Sequence, residues 1–254
     1  MRALVDTYYL TGRALREALR QPANEIGNLF IPLFFLAVTT GALERVSSNA
    51  FGVTNFLGFQ IPVAVLQATA SVAGSAGIGF TQDIQKGYFD KLLLTSASRW
   101  SIVFGRIGAD AVKGMLITAI VVAVGLIFGS GFESGPFGAI VLVLAAGLFT
   151  IAYSGVGTAI ALRTGSPQAA QAGFLLFFPL IFVAPTFAPK EVFSQWLEVA
   201  ATINPLTYII EALRGLVIDG WDGPQLAKGM VAIAGLGAFT LSLTAWALRW
   251  RTSS

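Results

Sequence analysis

The chain has 254 residues, of which 55% are hydrophobic and only 11% are charged, and its mean hydropathy is +0.75. Water-soluble domains usually have about 25% charged residues, so this composition excludes an ordinary soluble domain and indicates a membrane protein. The sequence has no cysteine and no histidine, which excludes a disulfide framework and catalytic sites that depend on histidine. We therefore expect no catalytic residue and no metal ligand set in this chain.

Charge-free apolar runs predict six membrane-spanning helices, because about 20 apolar residues cross the hydrocarbon core. We place these spans at residues 24–45, 53–80, 101–129, 136–162, 167–188 and 226–248. An even number of crossings puts both termini on one side of the membrane. The predicted fold is an all-α membrane protein with a single transmembrane domain over residues 1–254.

The distribution of basic residues predicts that both termini are cytoplasmic, since Lys and Arg bias flanking segments toward that side. With this topology the inner segments hold 12 of the 16 basic residues and 6 of the 13 acidic ones, so they carry a net charge of +6. The outer segments then carry −3. This asymmetry explains the sequence pI near 9.4. We expect no nucleic-acid partner, because nucleic-acid binders carry a basic face on a soluble fold.

Residues 1–22 predict an amphipathic helix that lies in the membrane interface. On a helical wheel the apolar side consists of Leu4, Tyr8, Leu15 and Leu19. The charged side consists of Arg13, Arg16, Glu17 and Arg20. The charges are spread along the whole segment, which distinguishes it from a signal peptide. The alternative is a disordered basic tail, which the separation of the two faces disfavours.

Residues 82–99 form a charged, amphipathic island between two long apolar spans. A membrane protein places such a segment at the water interface. We expect a short helix there that a soluble partner can bind and displace. The segment contains Lys86, Gly87, Tyr88, Phe89, Asp90, Lys91, Leu92, Leu93 and Arg99.

Three charged residues, Arg106, Asp110 and Lys113, fall at i, i+4 and i+7 in the third predicted span and share one helical face. Ionisable groups at membrane depth are costly and usually functional, so one interpretation is a relay or a substrate contact. The other is a charged first turn that packs against the 82–99 segment and extends its side chains to the headgroups. We favour the second interpretation.

Small residues recur four positions apart in the second predicted span, as Ala70 and Gly74, Ser71 and Ser75, and Ala73 and Gly77. Small side chains let neighbouring helices approach closely in a membrane. We interpret this pattern as a packing surface. The weaker alternative is that these residues line a transport path.

Residues 189–222 predict two short helices on the outer side, between the fifth and sixth spans. Pro185 and Pro189 end the fifth span, and Asn204 followed by Pro205 is typical of a helix N-cap and its first position. Both short helices have a broad apolar side, so we expect them to dip into the outer leaflet as a re-entrant pair.

Two motifs resemble those of type-2 ABC exporter permeases. Residues 204–215 read NPLTYIIEALRG and resemble the family signature NPLTYxxEALRG. The segment from residue 83 to residue 110 resembles the first cytoplasmic loop of the daunorubicin/doxorubicin-resistance permeases, in which D-x-x-K-G-x-F-D-R/K is followed by a basic residue and G-R-x-x-A-D. The matching positions are Asp83, Lys86, Gly87, Phe89, Asp90, Lys91, Arg99, Gly105, Arg106, Ala109 and Asp110.

The resemblance implies a half-transporter in the prokaryotic plasma membrane that is not itself an enzyme. Its partners would be a second permease copy or paralogue, two separate ABC ATPase subunits that bind ATP and Mg, and the membrane lipids. This chain would hold no cofactor. The 82–99 segment would be the coupling helix, whose residues Tyr88, Phe89, Leu92 and Leu93 would sit in a cleft on the ATPase, with rim contacts from Lys86, Asp90 and Lys91; Gly87 and Arg99 would belong to the same coupling segment. Residues 1–22 would be the connecting helix, and the external motif would comprise Asn204, Pro205, Thr207, Tyr208, Glu211 and Arg214.

Three substrate classes compete. An exporter of amphiphilic drugs or lipids predicts an aromatic path, for which the fifth span supplies Phe174, Phe178 and Phe182. A polysaccharide exporter of the same fold predicts polar groups along the path, for which Gln60 and Gln67 are the candidates. An ion-coupled secondary transporter predicts an acid or a histidine at mid-membrane, which the spans as placed do not supply. We favour the drug or lipid path.

Overall fold

The computed structural model describes residues 2–20, 22–95 and 98–253, and all regular structure in these residues is helical. A 3-10 turn at Lys190–Val192 and a π-helical turn at Gly215–Asp219 flank the two short helices that follow the fifth predicted span. The α-helices are α1 Arg2–Leu19, α2 Pro22–Phe51, α3 Phe56–Gln85, α4 Tyr88–Leu93, α5 Arg99–Ile127, α6 Gly135–Thr164, α7 Pro167–Leu175, α8 Phe177–Val183, α9 Gln195–Ile203, α10 Pro205–Arg214 and α11 Gly223–Ser253.

Within the described residues, five helices are long and apolar enough to cross a membrane, namely α2, α3, α5, α6 and α11. The segment predicted as the fifth span, 167–188, is instead broken at Leu176 into α7 and α8. Proline lacks an N–H group and its ring clashes with the carbonyl four residues earlier, so Pro179 disrupts the helix at Leu175. The apolar helical stretch Pro167–Val183 is about 26 Å long at 1.5 Å per residue.

Helix α3 is the centre of the bundle, because 83% of the residues in its most apolar stretch are buried by the rest of the protein. It packs against α2, α5, α6 and α7, while α11 covers the far side of α6 and α10 packs on α11. The small residues of α3 permit these approaches: a Cβ atom at Gly77 would lie 2.5 Å from the carbonyl oxygen of Gly157, and one at Gly74 would lie 2.6 Å from the Cβ of Phe174. The predicted packing role is confirmed at Gly74 and Gly77, whereas Ser71, Gly74 and Ser75 also line a cavity, in keeping with the alternative.

The bundle has two ends, which we name after the short helices found there. At the α4 end, Gln85 donates to the carbonyl oxygen of Gly165 and Arg251 donates to that of Leu162. At the α10 end, Asn55 donates to the carbonyl oxygen of Ser130. Helix α1 and the last turns of α11 both lie at the α4 end.

The N-terminal segment is helical, as its amphipathic pattern predicts, and α1 lies along α5. Leu10 packs against the apolar cluster at the α4 end, and Thr11 donates a hydrogen bond to the carbonyl oxygen of Gly105. The face with Leu4, Tyr8 and Leu19 is exposed. An exposed apolar face beside a membrane bundle suits contact with lipid.

Candidate functional site at the α4 end

The short helix α4 begins after a tight turn in which Gly87 has a φ of +66°. A left-handed backbone favours glycine because it has no Cβ atom. Lys86 and Lys91 are exposed, whereas Leu92 packs against the apolar cluster that includes Phe80 and Ile102. Leu92 therefore packs on its own bundle, and its expected part in coupling stays a prediction.

The remaining expected coupling residues divide into two groups. The side chains of Phe89, Asp90 and Leu93 lie outside the described part of the chain. Arg99 is exposed at the start of α5, and Leu94, directly after α4, is 89% exposed. Among the described side chains of this segment, Leu94 is thus an exposed apolar one, which the sequence analysis did not select.

Arg13 of α1 connects α4 to the bundle. Its guanidinium carbon lies 3.7 Å from the centre of the Tyr88 ring, and its Nη2 lies 3.1 Å from Oδ1 of Asp83. A cation over an aromatic face and a charge-assisted hydrogen bond are both directional. Through this one side chain, α1 is linked to α4 and to the last turn of α3.

Arg106 of α5 binds the same carboxylate from the other side, with Nη1 2.7 Å from Oδ2 of Asp83 and 3.8 Å from Oε2 of Glu17. The guanidinium passes directly over Gly79, where any Cβ atom would overlap it. Arg13, Glu17, Asp83 and Arg106 therefore form one ion-paired group that joins α1, α3 and α5 immediately beside α4.

A second group of charges lies deeper along α5. Lys113 Nζ is 2.7 Å from Oδ1 of Asp110 and 3.4 Å from Oε1 of Glu25 on α2. Asn28 donates to Glu25 and accepts a hydrogen bond from Ser71 of α3. Polar bonds therefore continue from α5 across α2 to the middle of α3.

These positions correct the favoured interpretation of the charged face of α5. Arg106 does lie beside the α4 segment, as expected. Asp110, however, is only 3% exposed, and Lys113 pairs with α2 rather than extending to the headgroups. Sequence analysis missed Arg13, Glu17 and Glu25 as partners, because each pair joins helices that are distant in the chain.

Members of both charged groups line one cavity of about 550 Å³ between α1, α2, α3, α5 and α7, namely Glu17 and Arg106 of the first and Glu25, Asp110 and Lys113 of the second. Its wall also contains polar groups from Asn28, Ser71 and Gln171 and the ring of Phe174. Cavities of about 300–1,000 Å³ with a mostly apolar wall and a few placed polar groups accommodate small molecules. This cavity has the size of a small-molecule site, and its wall is of mixed polarity.

The α10 end holds the predicted external motif. Asn204 caps α10 by accepting a hydrogen bond from the N–H of Leu206 at 3.0 Å, as predicted, and its Nδ2 also donates to the carbonyl oxygen of Leu180 at 2.6 Å. Pro205 follows at the first position of the helix. Thr207 is buried, and the Tyr208 hydroxyl donates to the carbonyl oxygen of Thr202.

Glu211 and Arg214 lie three positions apart in the sequence, but each of them bonds to other residues. Glu211 Oε1 lies 3.0 Å from Nζ of Lys190, and the hydrogen bond to this carboxylate raises the pKa of Lys190. Arg214 donates to the carbonyl oxygens of Phe59 and Pro185 and lies 3.3 Å from the centre of the Phe59 ring. Arg214 therefore joins α10 to the start of α3 and to the end of α8.

The expected path residues are spread over different environments. Phe174 lines the cavity and contacts Phe178 with ring centres 5.2 Å apart. Phe178 and Phe182 are 37% and 56% exposed on the surface of the bundle. The two glutamines lie inside α3, where Gln60 is buried and Gln67 is half-buried, and neither lines the cavity.

Within the described residues, five long apolar helices, of which α3 is the buried central one, with charged residues paired between helices, define a polytopic helical membrane protein. Residues 6–218 match the family model described as ABC-2 type transporter, so the chain belongs to that family. This range begins in α1 and ends in the π-helical turn after α10. The chain is therefore an ABC-2 type transporter permease, a transport subunit of the membrane.

Curated relatives cover most of the chain at modest identity. It is 23% identical to a probable doxorubicin resistance ABC transporter permease protein of Mycobacterium tuberculosis, over 85% of this chain and 78% of the relative. It is also 23% identical to a daunorubicin resistance ABC transporter permease protein of Streptomyces coeruleorubidus, over 87% and 80%. A putative transport permease of Cyanophora paradoxa is 23% identical over 83% and 73%.

Proposed function

We propose that this protein is the permease subunit of an ATP-driven exporter that moves amphiphilic drugs or lipids out of the cell. The family assignment and the drug-resistance relatives support this class of transport. The cavity of about 550 Å³, with a wall of mixed polarity that includes Phe174, supports an amphiphilic substrate.

The proposed topology has six crossings, with α7 and α8 together forming the fifth. The α4 end faces the cytoplasm of a prokaryotic cell, because most of the basic residues lie there. Both described ends of the chain are then cytoplasmic. Helices α9 and α10 form the external pair, and the tether from Asn204 to the carbonyl oxygen of Leu180 keeps α10 against α8.

Energy comes from two separate ATPase subunits, which bind ATP and Mg and dock on α4. The observation that carries this mechanism is the ion-paired group at the α4 end: Arg13 contacts Tyr88 and Asp83, and Arg106 holds the same Asp83 from α5. A displacement of α4 by the ATPase pair is passed to α1, α3 and α5 at once. The rigid helices then switch the cavity between inward and outward access.

A second permease copy or a paralogue completes the pathway. The surface of α2 is largely uncovered, with Phe30, Phe34 and Val38 exposed, and α8 exposes Phe178 and Phe182. Large exposed apolar patches mark contacts with protein or with lipid. We assign part of this surface to the second permease and the rest to membrane lipids.

The test is ATP-dependent drug transport in proteoliposomes that contain the permease and its ATPase subunit. We expect uptake of doxorubicin into inside-out vesicles that requires ATP, and none with an ATPase subunit whose phosphate-binding lysine is replaced. Transport that persists without the ATPase and collapses with an ionophore would instead indicate a secondary transporter. A polysaccharide substrate gains no support from Gln60 and Gln67, since Gln60 is buried and neither side chain lines the cavity.

A further inference from the structure

In the described part of the chain, one carboxylate oxygen that is shielded from water has no hydrogen-bond donor and no ion pair, namely Oδ2 of Asp110. Asp110 lines the cavity of about 550 Å³. It is 3% exposed, and only its other oxygen is bonded, to Lys113. A buried carboxylate oxygen without a donor is costly, so this atom favours a ligand that can donate. Oε2 of Glu17, on the same wall, lies 3.8 Å from Arg106 and 3.9 Å from Arg13 and is therefore already ion-paired.

The charges around the cavity leave one negative charge uncompensated. The two ion-paired groups contain three basic side chains, Arg13, Arg106 and Lys113, and four acidic ones, Glu17, Glu25, Asp83 and Asp110. In the ion pairs of 3.4 Å or less, Arg13 and Arg106 bind Asp83, while Lys113 binds Glu25 and one oxygen of Asp110. Inside a membrane protein a net charge is expensive, so one added positive charge stabilises the site.

The missing positive charge suits an organic amine better than a metal ion. Within the described residues, no three acidic side chains are grouped as metal ligands. The same wall carries Ile31, Ile78 and Phe174, which provide apolar contact for a hydrocarbon or aromatic body. A cavity of this volume has room for both the apolar body and the charged head of such an amine.

We propose that this cavity binds protonated primary or secondary amines on an apolar body, with the ammonium group beside Asp110. An ammonium N–H group donates to the free oxygen of Asp110, and the ligand supplies the one positive charge. The terminal side-chain torsion of Asp is broad, so the carboxylate can turn this oxygen toward the ligand. The role of this site in substrate selection rests on the proposed export function, but binding itself does not.

The test uses three probes of the same shape: 4-phenylbutylamine, its N,N,N-trimethyl derivative and 4-phenylbutanol. Binding to the complete permease–ATPase complex in nanodiscs is measured without nucleotide by displacement of radiolabelled 4-phenylbutylamine. We expect the amine to bind at least about tenfold more tightly than both analogues, because only the amine combines charge with N–H donors. Equal affinity for the amine and either analogue overturns the proposal.

A matched pair of lysine variants on α7 tests the location. Gln171 lines the cavity and is exposed, so its replacement leaves the packing intact. Gln171→Lys supplies a positive charge from the protein itself and is expected to weaken amine binding at least about tenfold. Ala172→Lys, which places the same charge on the next residue, exposed and outside the cavity lining, is expected to keep it. An unchanged affinity in Gln171→Lys overturns the assignment. Asp110→Asn, which removes the negative charge, is expected to have the same effect as Gln171→Lys.

Failure of this inference can be told apart from failure of the export function. ATP-dependent transport of 4-phenylbutanol or another neutral compound without preferential amine binding refutes the amine site and leaves the exporter. Tight amine binding without ATP-dependent transport of any probe supports the site and contradicts the exporter.

Discussion

Arg106 and Asp83 form an ion pair of 2.7 Å between α5 and the last turn of α3, directly before the glycine turn that leads into α4. The pair exists because Gly79 has no side chain, and the Arg106 guanidinium occupies the space that a Cβ atom would take. A glycine within a transmembrane helix is here a condition for an electrostatic link between helices.

We therefore predict that Gly79→Ala displaces Arg106 without unfolding the bundle. The atoms in the way are the far end of a flexible side chain, so the methyl group pushes the guanidinium aside. Asp83 is left with Arg13 alone, at a cost of about 1–3 kcal/mol, partly offset by the better helix propensity of alanine. We expect ATP-driven transport per complex to fall while the complex still assembles.

Gly27→Ala is the matched control for this experiment. Gly27 lines the same cavity, but a Cβ atom there would meet nothing within 4 Å. It should transport as the unchanged protein does. Equal transport by Gly79→Ala and Gly27→Ala would show that the Arg106–Asp83 pair does not transmit movement.

A second prediction separates docking from stability on α4. Leu94 is 89% exposed, so Leu94→Asp should weaken co-purification of the ATPase subunit and leave the thermal midpoint of the permease unchanged. Leu92 packs against the apolar cluster, so Leu92→Ala should lower the free energy of unfolding by about 1–2 kcal/mol, at or below the usual range for a leucine that is only partly buried. Full ATPase recovery with Leu94→Asp would exclude this side of α4 as the docking surface.

The sequence contained enough information for the long helices and for local caps. Apolar runs without charge predict α2, α3, α5, α6 and α11, because the cost of placing charges in hydrocarbon shapes the sequence directly. The Asn204 cap was predictable for a similar reason, since it bonds to the N–H of Leu206, only two residues away. Such features depend on neighbours in the chain.

The ion-paired groups could not be predicted in the same way. Arg13 and Asp83 are 70 positions apart, and Lys113 and Glu25 are 88 apart, so no local spacing connects them. The pattern of Arg106, Asp110 and Lys113 predicts a shared face but does not indicate what the face contacts. The orientation of Leu92 depends on how α4 folds back against α3 and α5, which an amphipathic hexapeptide alone does not determine.

A third prediction concerns the ion pair between Lys190 and Glu211. Lys190→Glu places two acids together and should lower the thermal midpoint, in keeping with a loss of about 0.2–1 kcal/mol for an exposed pair. The double variant Lys190→Glu with Glu211→Lys should recover most of it. Lys228→Glu, on the exposed surface of α11, is the control. No recovery in the double variant would mean that the two charges do not interact.

The same pair predicts a dependence on alkaline pH. The hydrogen bond to Glu211 raises the pKa of Lys190 above its ordinary 10.5. A folded-state pKa that is raised stabilises the protein below the unfolded value and loses that contribution as pH rises through the folded value. The difference in thermal midpoint between the unchanged protein and Lys190→Met should therefore be constant below about pH 10 and shrink above it.

A fourth prediction separates the contributions that the two side-chain hydrogen bonds of Asn204 make to stability. Its oxygen caps α10 and its amide nitrogen donates to the carbonyl oxygen of Leu180. Asn204→Asp keeps the cap, since the two residues are about equal there, but loses the donor and faces the carbonyl with a negative charge. Asn204→Ala loses both bonds, at about 1 kcal/mol for the cap alone. Equal stability of Asn204→Asp and the unchanged protein would show that the tether to α8 contributes nothing.

The last prediction concerns the phenylalanines of α7 and α8, whose different surroundings predict different effects of alanine. Phe174 lines the cavity, so Phe174→Ala should change the resistance to some drugs and not others, because a ring offers apolar contact and a π face without requiring a hydrogen bond. Phe177 is fully buried and packs edge-on against Tyr153, so Phe177→Ala should reduce the protein level and resistance to every drug alike.

Phe182 supplies the comparison, because it is 56% exposed at the surface of the bundle. Phe182→Ala should keep the protein level and the drug profile if lipid covers the ring, and should reduce crosslinking between permease copies if a second copy covers it. Resistance to several dissimilar drugs, measured at matched protein levels, separates these cases. A uniform loss in Phe174→Ala, equal to that of Phe177→Ala, would assign Phe174 to packing and remove the aromatic wall from the proposed path.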